Sequence, residues 1–276
     1  MSDVAVNLPG AAWRDRSQPL RIAGVGLLLP LALLALWQAA SAQSWLPPQI
    51  LPPPSDVWQN GVDLWRTGDL QAHIAISLLR VFEGFTVGAV AGLVIGVSMG
   101  VSRPVEDYVR PLFLAIAQVP SLGWIPFLML LVGIGEPLKI IIIAKAACVP
   151  IVMNTHAGIR AIPPGYQEVA SALRLTRLQT LRKLHFPATV PQVFTGIRYG
   201  LTHAWMALVA VELLASSEGL GYLLVWGRQM FWYDTVVLAM VLIGLVGFAL
   251  DKSLERIERR LQRWRVADSG KLVAPL

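Results

Sequence analysis

The chain has 276 residues, 55% of them apolar and only 14% charged, with a formal net charge of +6. A soluble globular domain carries about a quarter charged residues, so this composition excludes an ordinary cytosolic fold. Lys and Arg sit mainly between apolar runs, which argues against nucleic acid as a partner, and the single cysteine, Cys148, allows neither an internal disulfide nor a cysteine metal cluster.

Crossing a bilayer takes roughly 20 apolar residues as a helix, and six segments are predicted to do so. The first is Ile22–Ala40, uncharged throughout. Its basic lead and the Ala40-Ser41-Ala42 that follows also resemble a secretory signal with its cleavage site. The run is longer than a signal core and holds Pro30 and Trp37, which favours a retained span. Residues 43–73 form a connector: prolines in Trp45-Leu-Pro-Pro and Leu51-Pro-Pro-Pro exclude helix. Beyond them Val57, Gly61 and Leu64 share one face of a short interfacial helix, with Trp58 and Trp65 as anchors.

The second span starts near Ile74, contains Arg80 and Glu83, and runs uncharged from Gly84 to Ser102. Its glycines fall at Gly84, Gly88, Gly92, Gly96 and Gly100. Four residues advance a helix by about 400°, so they form one stripe of small residues that lets another helix approach closely. Gly96-Val-Ser98-Met-Gly100 matches the nucleophile pattern of serine hydrolases, but that pattern needs a strand–turn–helix context. An intramembrane protease would also need a facing base, for which His203 is the deepest candidate. The third span, Pro111–Gly135, is predicted to be interrupted by Pro120 and Pro126. The fourth, about Leu138–Ile159, contains Lys145, and the fifth, about Phe194–Ala215, contains Arg198 and Glu212. Ionisable groups inside a membrane are costly and face a cavity or a partner. Lys145 and Glu212 could pair with each other, Lys145 could reach outward to the interface, or the two could line the path of a solute, with Lys145 suited to an anion. The sixth span, Thr235–Leu250, continues into a charged helical tail.

These spans predict an all-α polytopic fold with an N-tail at residues 1–21, a membrane domain at 22–250 and a C-tail at 251–276. Cytoplasmic loops carry an excess of Lys and Arg. Most of the 23 fall on one side if the N-terminus is inside, while the opposite loops hold only Arg66, Lys139 and Arg228. Both termini and the segment 160–191 are then cytoplasmic. In that segment Pro163-Pro164-Gly165 ends the fourth span, and residues 166–183 lack proline and glycine. They are predicted to be helical, burying Ala170, Leu173, Leu181 and Leu184 and solvating Arg174, Arg177 and Arg182. Ala170 and Ala172 offer a low surface for another protein, and Pro187 and Pro191 are predicted to break the helix before the fifth span.

Glu168-Val169-Ala170 and Phe186-Pro187 resemble the cytoplasmic loop of bacterial ABC-type importer permeases. That loop reads E-A-A, three residues, G, then a hydrophobic residue and proline. Val169 replaces an alanine, and Arg174 stands where glycine allows a turn between two short helices. The resemblance runs from Trp37 to Trp264 and is closest to the nitrate, sulfonate and taurine group. Its further stretches are Trp45-Leu-Pro-Pro with Ile50-Leu-Pro-Pro-Pro, His73-Ile-Ala-Ile-Ser-Leu-Leu-Arg80, Val132-Gly-Ile-Gly-Glu136 with Lys139, Asn154-Thr155 with Gly158, and Ser217-Glu-Gly-Leu-Gly-Tyr222.

The resemblance implies a type I ABC importer permease in the bacterial inner membrane. It implies pairing with a second permease copy, two ATP-binding subunits, and a periplasmic or lipid-anchored binding protein that delivers a small anion such as an aliphatic sulfonate, taurine or nitrate. Glu168, Val169, Ala170, Ala172, Arg174, Leu175 and Pro187 are then the residues that couple to the ATP-binding subunit during alternating access. The chain has no G-x-x-x-x-G-K-[ST] sequence. ATP and Mg are therefore expected on the partner, and no catalytic site, cofactor or metal is expected here. A secondary transporter would show two related halves with paired broken helices, and no internal repeat is evident. A purely structural scaffold would leave the loop without a purpose.

Overall fold

The computed structural model describes residues 18–261, apart from 44, 46 and 48–50. The predicted N-tail to residue 17 and the C-tail beyond 261 lie outside the described residues. The chain divides into two compact units, one ending at Val57 and the other beginning at Trp58. In the first unit, α1 (Gln18–Ala42) is followed by the proline-rich stretch, where the Trp37 indole donates to the Pro52 carbonyl at 3.1 Å. Pro54 opens α2 (Pro54–Thr67), a position where its missing N–H costs nothing. In the second unit, the apolar face of α2 docks through Gly61 against Leu238, while Trp58 and Trp65 point outward.

Four helical stretches are long and apolar enough to cross a membrane: Asp69–Val101, Glu136–Arg160, Leu178–Gln229 and Tyr233–Arg260. The first is α3 (Asp69–Val101), the second α6 (Glu136–Arg160) and the last lies in α11 (Tyr233–Leu261). Leu178–Gln229 spans most of α8 (Arg177–Thr180), then α9 (Phe186–Ala215) and α10 (Leu220–Gln229). A fifth crossing is a broken pair, α4 (Arg103–Gln118) and the 3-10 turn Ser121–Trp124 with α5 (Ile125–Val132), bent by 89°. The sixth expected crossing falls on α1, whose described apolar stretch, Leu28–Ala42, is shorter. The break in the third span comes at Pro120 alone. Pro126 sits in the first turn of α5, where it starts a helix rather than interrupting one.

The centre of the bundle is α6, held between α3 and α9. All five stripe glycines of α3 are buried against it. A methyl group on Gly84 would stand 2.6 Å from Ile143, one on Gly92 2.9 Å from Ile151, one on Gly96 2.8 Å from Thr155 and one on Gly100 2.7 Å from Ile159. On Gly88 it would overlap the carbonyl oxygen of Ala144. The stripe therefore brings backbone close to backbone at Gly84, Gly88, Gly92 and Gly96. On an adjoining face of α6, which shares Ile151 with the first seam, Gly196 and Gly200 of α9 approach Asn154 and Ile151 in the same way. Ile143 and Ala147 fill the space between these seams with Val81, Leu208 and Leu220. Membrane helices gain little from apolar burial against one another, so close packing at small residues supplies much of their association.

Residues 166–183 are not one helix. Helix α7 (Pro164–Ala172) ends early, and α8 runs into a π-helical turn at Leu181–His185 that continues directly into α9. Pro187 and Pro191 do not break the chain. Pro187 lies in the first turn of α9, and the wide turn before it, where Phe186 N–H reaches the Leu181 carbonyl, absorbs its missing donor. Pro191 lies inside α9. Ser98 lies in the last turn of α3, still helical, its hydroxyl on the Val94 carbonyl at 2.7 Å, so the nucleophile pattern lacks its strand–turn–helix setting.

Replacing Gly88 by alanine is expected to force α3 and α6 apart and destabilise the bundle by about 1–3 kcal/mol. Gly244→Ala, inside α11 where nothing lies within 4 Å, should not destabilise the fold and should raise stability slightly, by up to about 1 kcal/mol. Thermal unfolding of the detergent-solubilised variants checks both.

Candidate functional site

Two polar regions mark opposite ends of the bundle. They are separated by the length of α6, whose 25 residues span about 37 Å. The first is the loop between α6 and α9. The last turn of α7 closes with Arg174 N–H on the Ser171 carbonyl at 2.9 Å and Leu175 N–H on the Ala170 carbonyl at 3.0 Å. This is a Schellman end, and it places Arg174 at φ 51°, the left-handed region normally held by glycine. The bend between two short helices thus forms without the glycine, at a backbone cost of roughly 1–2 kcal/mol.

Seen in three dimensions, the loop surface differs from the expected one. Ala170 is buried at 6% exposure, as expected, and so does not present the low surface also expected of it. Ala172 is exposed, Leu175 is half-buried, and Glu168 and Pro187 are exposed. Leu173 was expected to bury but is 67% exposed, because the helix ends just before it and turns it outward. With Tyr166 and Val169, at 60% and 57%, it forms an apolar stripe at i, i+3 and i+7. Leu178 and Phe186 are exposed nearby in sequence, whereas Leu181 and Leu184 are half-buried.

The second region was not legible as a site in the sequence. Arg80, 2% exposed, is its centre. Its guanidinium makes a bidentate pair with Glu136, Nε to Oε2 at 2.8 Å and Nη2 to Oε1 at 2.6 Å. Nη1 donates to Glu212 Oε1 at 3.0 Å and to the Glu218 carbonyl at 2.8 Å. The buried Glu212 carboxylate also accepts from the Ser77 hydroxyl at 2.9 Å and from Gly221 N–H at 3.0 Å. It therefore caps the positive end of α10, as a carboxylate at a helix N-terminus should. Ser77 in turn accepts Leu220 N–H at 2.9 Å, and His73 accepts Gly219 N–H at 3.0 Å. Gly219 has φ 107° and lies so close to Glu212 that any side chain would overlap the carboxylate. Lys139 was assigned to a solvated loop. It is instead buried in α6, with Nζ 2.8 Å from Glu136 Oε1.

The knot joins α3, α6, α9 and α10. Apart from Glu212, its charged and capping residues come from three of the stretches that carry the resemblance: His73–Arg80, Glu136 with Lys139, and 217–222. Pairing and full hydrogen bonding make such buried charges tolerable. Glu212 and Lys145 do not pair with each other. Lys145 Nζ donates instead to the Val119 carbonyl at 2.5 Å and lies 5.6 Å from the centre of the Trp124 ring. Among the described residues no three His, Cys, Asp or Glu side chains are arranged to hold a metal.

Known proteins can now be set beside this geometry. Residues 88–263 match the family model described as binding-protein-dependent transport system inner membrane component. The chain is 35% identical over 245 residues to the putative aliphatic sulfonates transport permease protein SsuC of Bacillus subtilis, covering 89% of each chain. It is 30% identical over 237 residues to the taurine transport system permease protein TauC of Escherichia coli, covering 84% of this chain and 86% of that one. Against the bicarbonate transport system permease protein CmpB of Synechococcus elongatus it is 31% identical over 262 residues, covering 87% and 89%. The inward-facing MetNI methionine ABC transporter shares the fold, with a TM-score of 0.58 at 21% identity over 71% of this chain and 97% of that chain.

Removing Arg80 leaves the buried Glu212 without its cationic partner, which costs about 3–5 kcal/mol, whereas removing Glu212 leaves Arg80 still paired with Glu136. Arg80→Met should therefore lower the melting temperature more than Glu212→Leu does, and more than the double variant does. Arg174→Gly should relieve the left-handed backbone and slow hydrogen exchange across residues 164–176, while Arg174→Val should speed it.

Proposed function

Because the chain belongs to the family of binding-protein-dependent transport system inner membrane components, we propose that it forms the membrane path of an ATP-driven importer for a small oxyanion. It is a multi-pass membrane permease subunit. The relatives named above serve aliphatic sulfonates, taurine and bicarbonate, and a further one, the nitrate import permease protein NrtB of Synechocystis, is 33% identical over 189 residues. All are small solutes with an oxygen-bearing anionic group, and the substrate proposed here is of that class.

The observation that carries the coupling role is the exposed apolar stripe Tyr166, Val169 and Leu173, held in place by the Arg174 turn. It lies beyond the end of α6 in a segment rich in Lys and Arg, on the side that the charge bias makes cytoplasmic. Apolar side chains presented together outside the membrane call for a protein cover. In this reading the cover is an ATP-binding subunit, one for each of two permease copies. ATP draws these subunits together and the loops follow. The bundle then passes from inward-open to outward-open, while a binding protein delivers substrate to the end that bears the Arg80 knot. Mg and ATP chemistry stay on the partner, and this chain contributes path and lever without a catalytic centre.

Val169→Asp and Leu173→Asp change exposed side chains only. Each should abolish co-purification of the ATP-binding subunit and lower uptake at least tenfold, with membrane insertion and helical circular dichroism unchanged. Normal association and normal uptake in both variants would falsify the coupling role.

A further inference from the structure

The Lys145 environment has a chemistry that the knot does not. Lys145 is the tenth residue of α6, roughly 13 Å along the axis from Glu136 and 22 Å from Arg160. That is farther from either end than a lysine stem extends, and the ammonium is held at depth on the Val119 carbonyl. Among the described residues no carboxylate lies within ion-pair distance of it, whereas Arg80, Lys139 and Arg198 are all paired with carboxylates. Its other neighbour is the face of Trp124. The Trp124 indole N–H is buried and has no acceptor.

The backbone here is broken as well. Val119 and Pro120 separate α4 from the 3-10 turn, at the 89° bend of the third span. Non-helical backbone at membrane depth is tolerated only where protein buries it or where it lines a water-filled cavity. Val119 is 40% exposed and Leu122 44%, so this break is not sealed within the chain. An unneutralised ammonium, an unused N–H donor and an unsealed helix break therefore occupy one contact. Discontinuous helices are where transporters bind their solutes at mid-membrane.

We propose that Lys145 and Trp124 form an anion station midway along the path, taking the oxygens of one monovalent oxyanion; this rests on the import reading above. One ammonium with no nearby carboxylate balances a single negative charge. The indole N–H supplies a second, neutral donor to another oxygen of the same group. The Val119 carbonyl holds the ammonium in place while the station is empty and competes with the anion for it, so binding stays weak enough for release.

The test uses the assembled complex, with its ATP-binding subunits and binding protein, in proteoliposomes. Uptake of labelled nitrate, bicarbonate, ethanesulfonate and taurine is measured alongside ATP hydrolysis. Lys145→Met should lower the maximal uptake rate tenfold or more while hydrolysis stimulated by loaded binding protein continues. Lys145→Arg should keep most of the uptake. Trp124→Phe, which retains the ring and removes only the N–H, should lower uptake several-fold. A wild-type complex that imports one of these anions, with Lys145→Met or Trp124→Phe importing at the same rate, overturns the station alone. Loss of hydrolysis in step with uptake in Lys145→Met, with Trp124→Phe unaffected, marks a structural lysine and overturns it too. A wild-type complex that takes up none of the four contradicts the import reading itself, and the station with it.

Discussion

The seam between α3 and α6 is the constraint on which the rest of the structure depends. Five glycines spaced four apart seat α3 closely on α6: a methyl on Gly84, Gly88, Gly92 or Gly96 would stand within 3.2 Å of an α6 carbonyl, and one on Gly100 would meet the Ile159 side chain. The same closeness brings Arg80 of α3 within reach of Glu136 at the start of α6. A second small-residue seam, which shares Ile151 of α6 with the first, fixes α9, and α9 carries Glu212 to the same arginine. The buried ion knot is thus a consequence of packing, and it then locks the register that the packing allows.

Three helices tied in this way behave mechanically as one piece. One end is closed by the knot, where Glu212 caps α10 and Gly219 leaves room for its carboxylate. The other end bears the α7 turn, joined to α9 through a continuous run of helix from α8. Helix α7, which bears Val169 of the exposed stripe, is separated from that run by the non-helical residues 173–176. The broken α4–α5 pair, bent at Pro120, is only lightly tied to this core. It is there that Lys145 meets Val119 and Trp124.

Much of this was legible in the sequence, and the failures have physical causes. The glycine stripe was readable because a four-residue period maps onto one helix face with little drift. The bundle class followed from run length. The break at Pro120 was readable too, but Pro126 and Pro187 were misread as breakers because proline at a helix start, or after a wide turn, costs little; Pro191 lies inside α9, which continues through it. The loop surface was partly inverted. Treating residues 166–183 as one helix put Leu173 inside, whereas α7 ends before it and leaves it exposed; Ala170 is buried as expected, which removes it from the low surface also expected of it. A positive φ at arginine has no signature in composition or period. The knot was missed because Arg80, Glu136 and Glu212 lie far apart in the chain, and only packing shows that charges in three apolar segments meet. Their one early signal was that ionised groups inside such segments demand partners.

The account's central claim is that the loop is the element that ATP moves. Cys148 is the single native thiol, so Cys148→Ser with Ala172→Cys places one spin label on the exposed face of each loop. The assembled complex in lipid nanodiscs is then measured by double electron–electron resonance, with and without MgATP under conditions that block hydrolysis. The account predicts two labelled loops per complex whose separation shortens by several ångström when ATP binds. An unchanged distance distribution in a labelled complex that still imports its anion contradicts it.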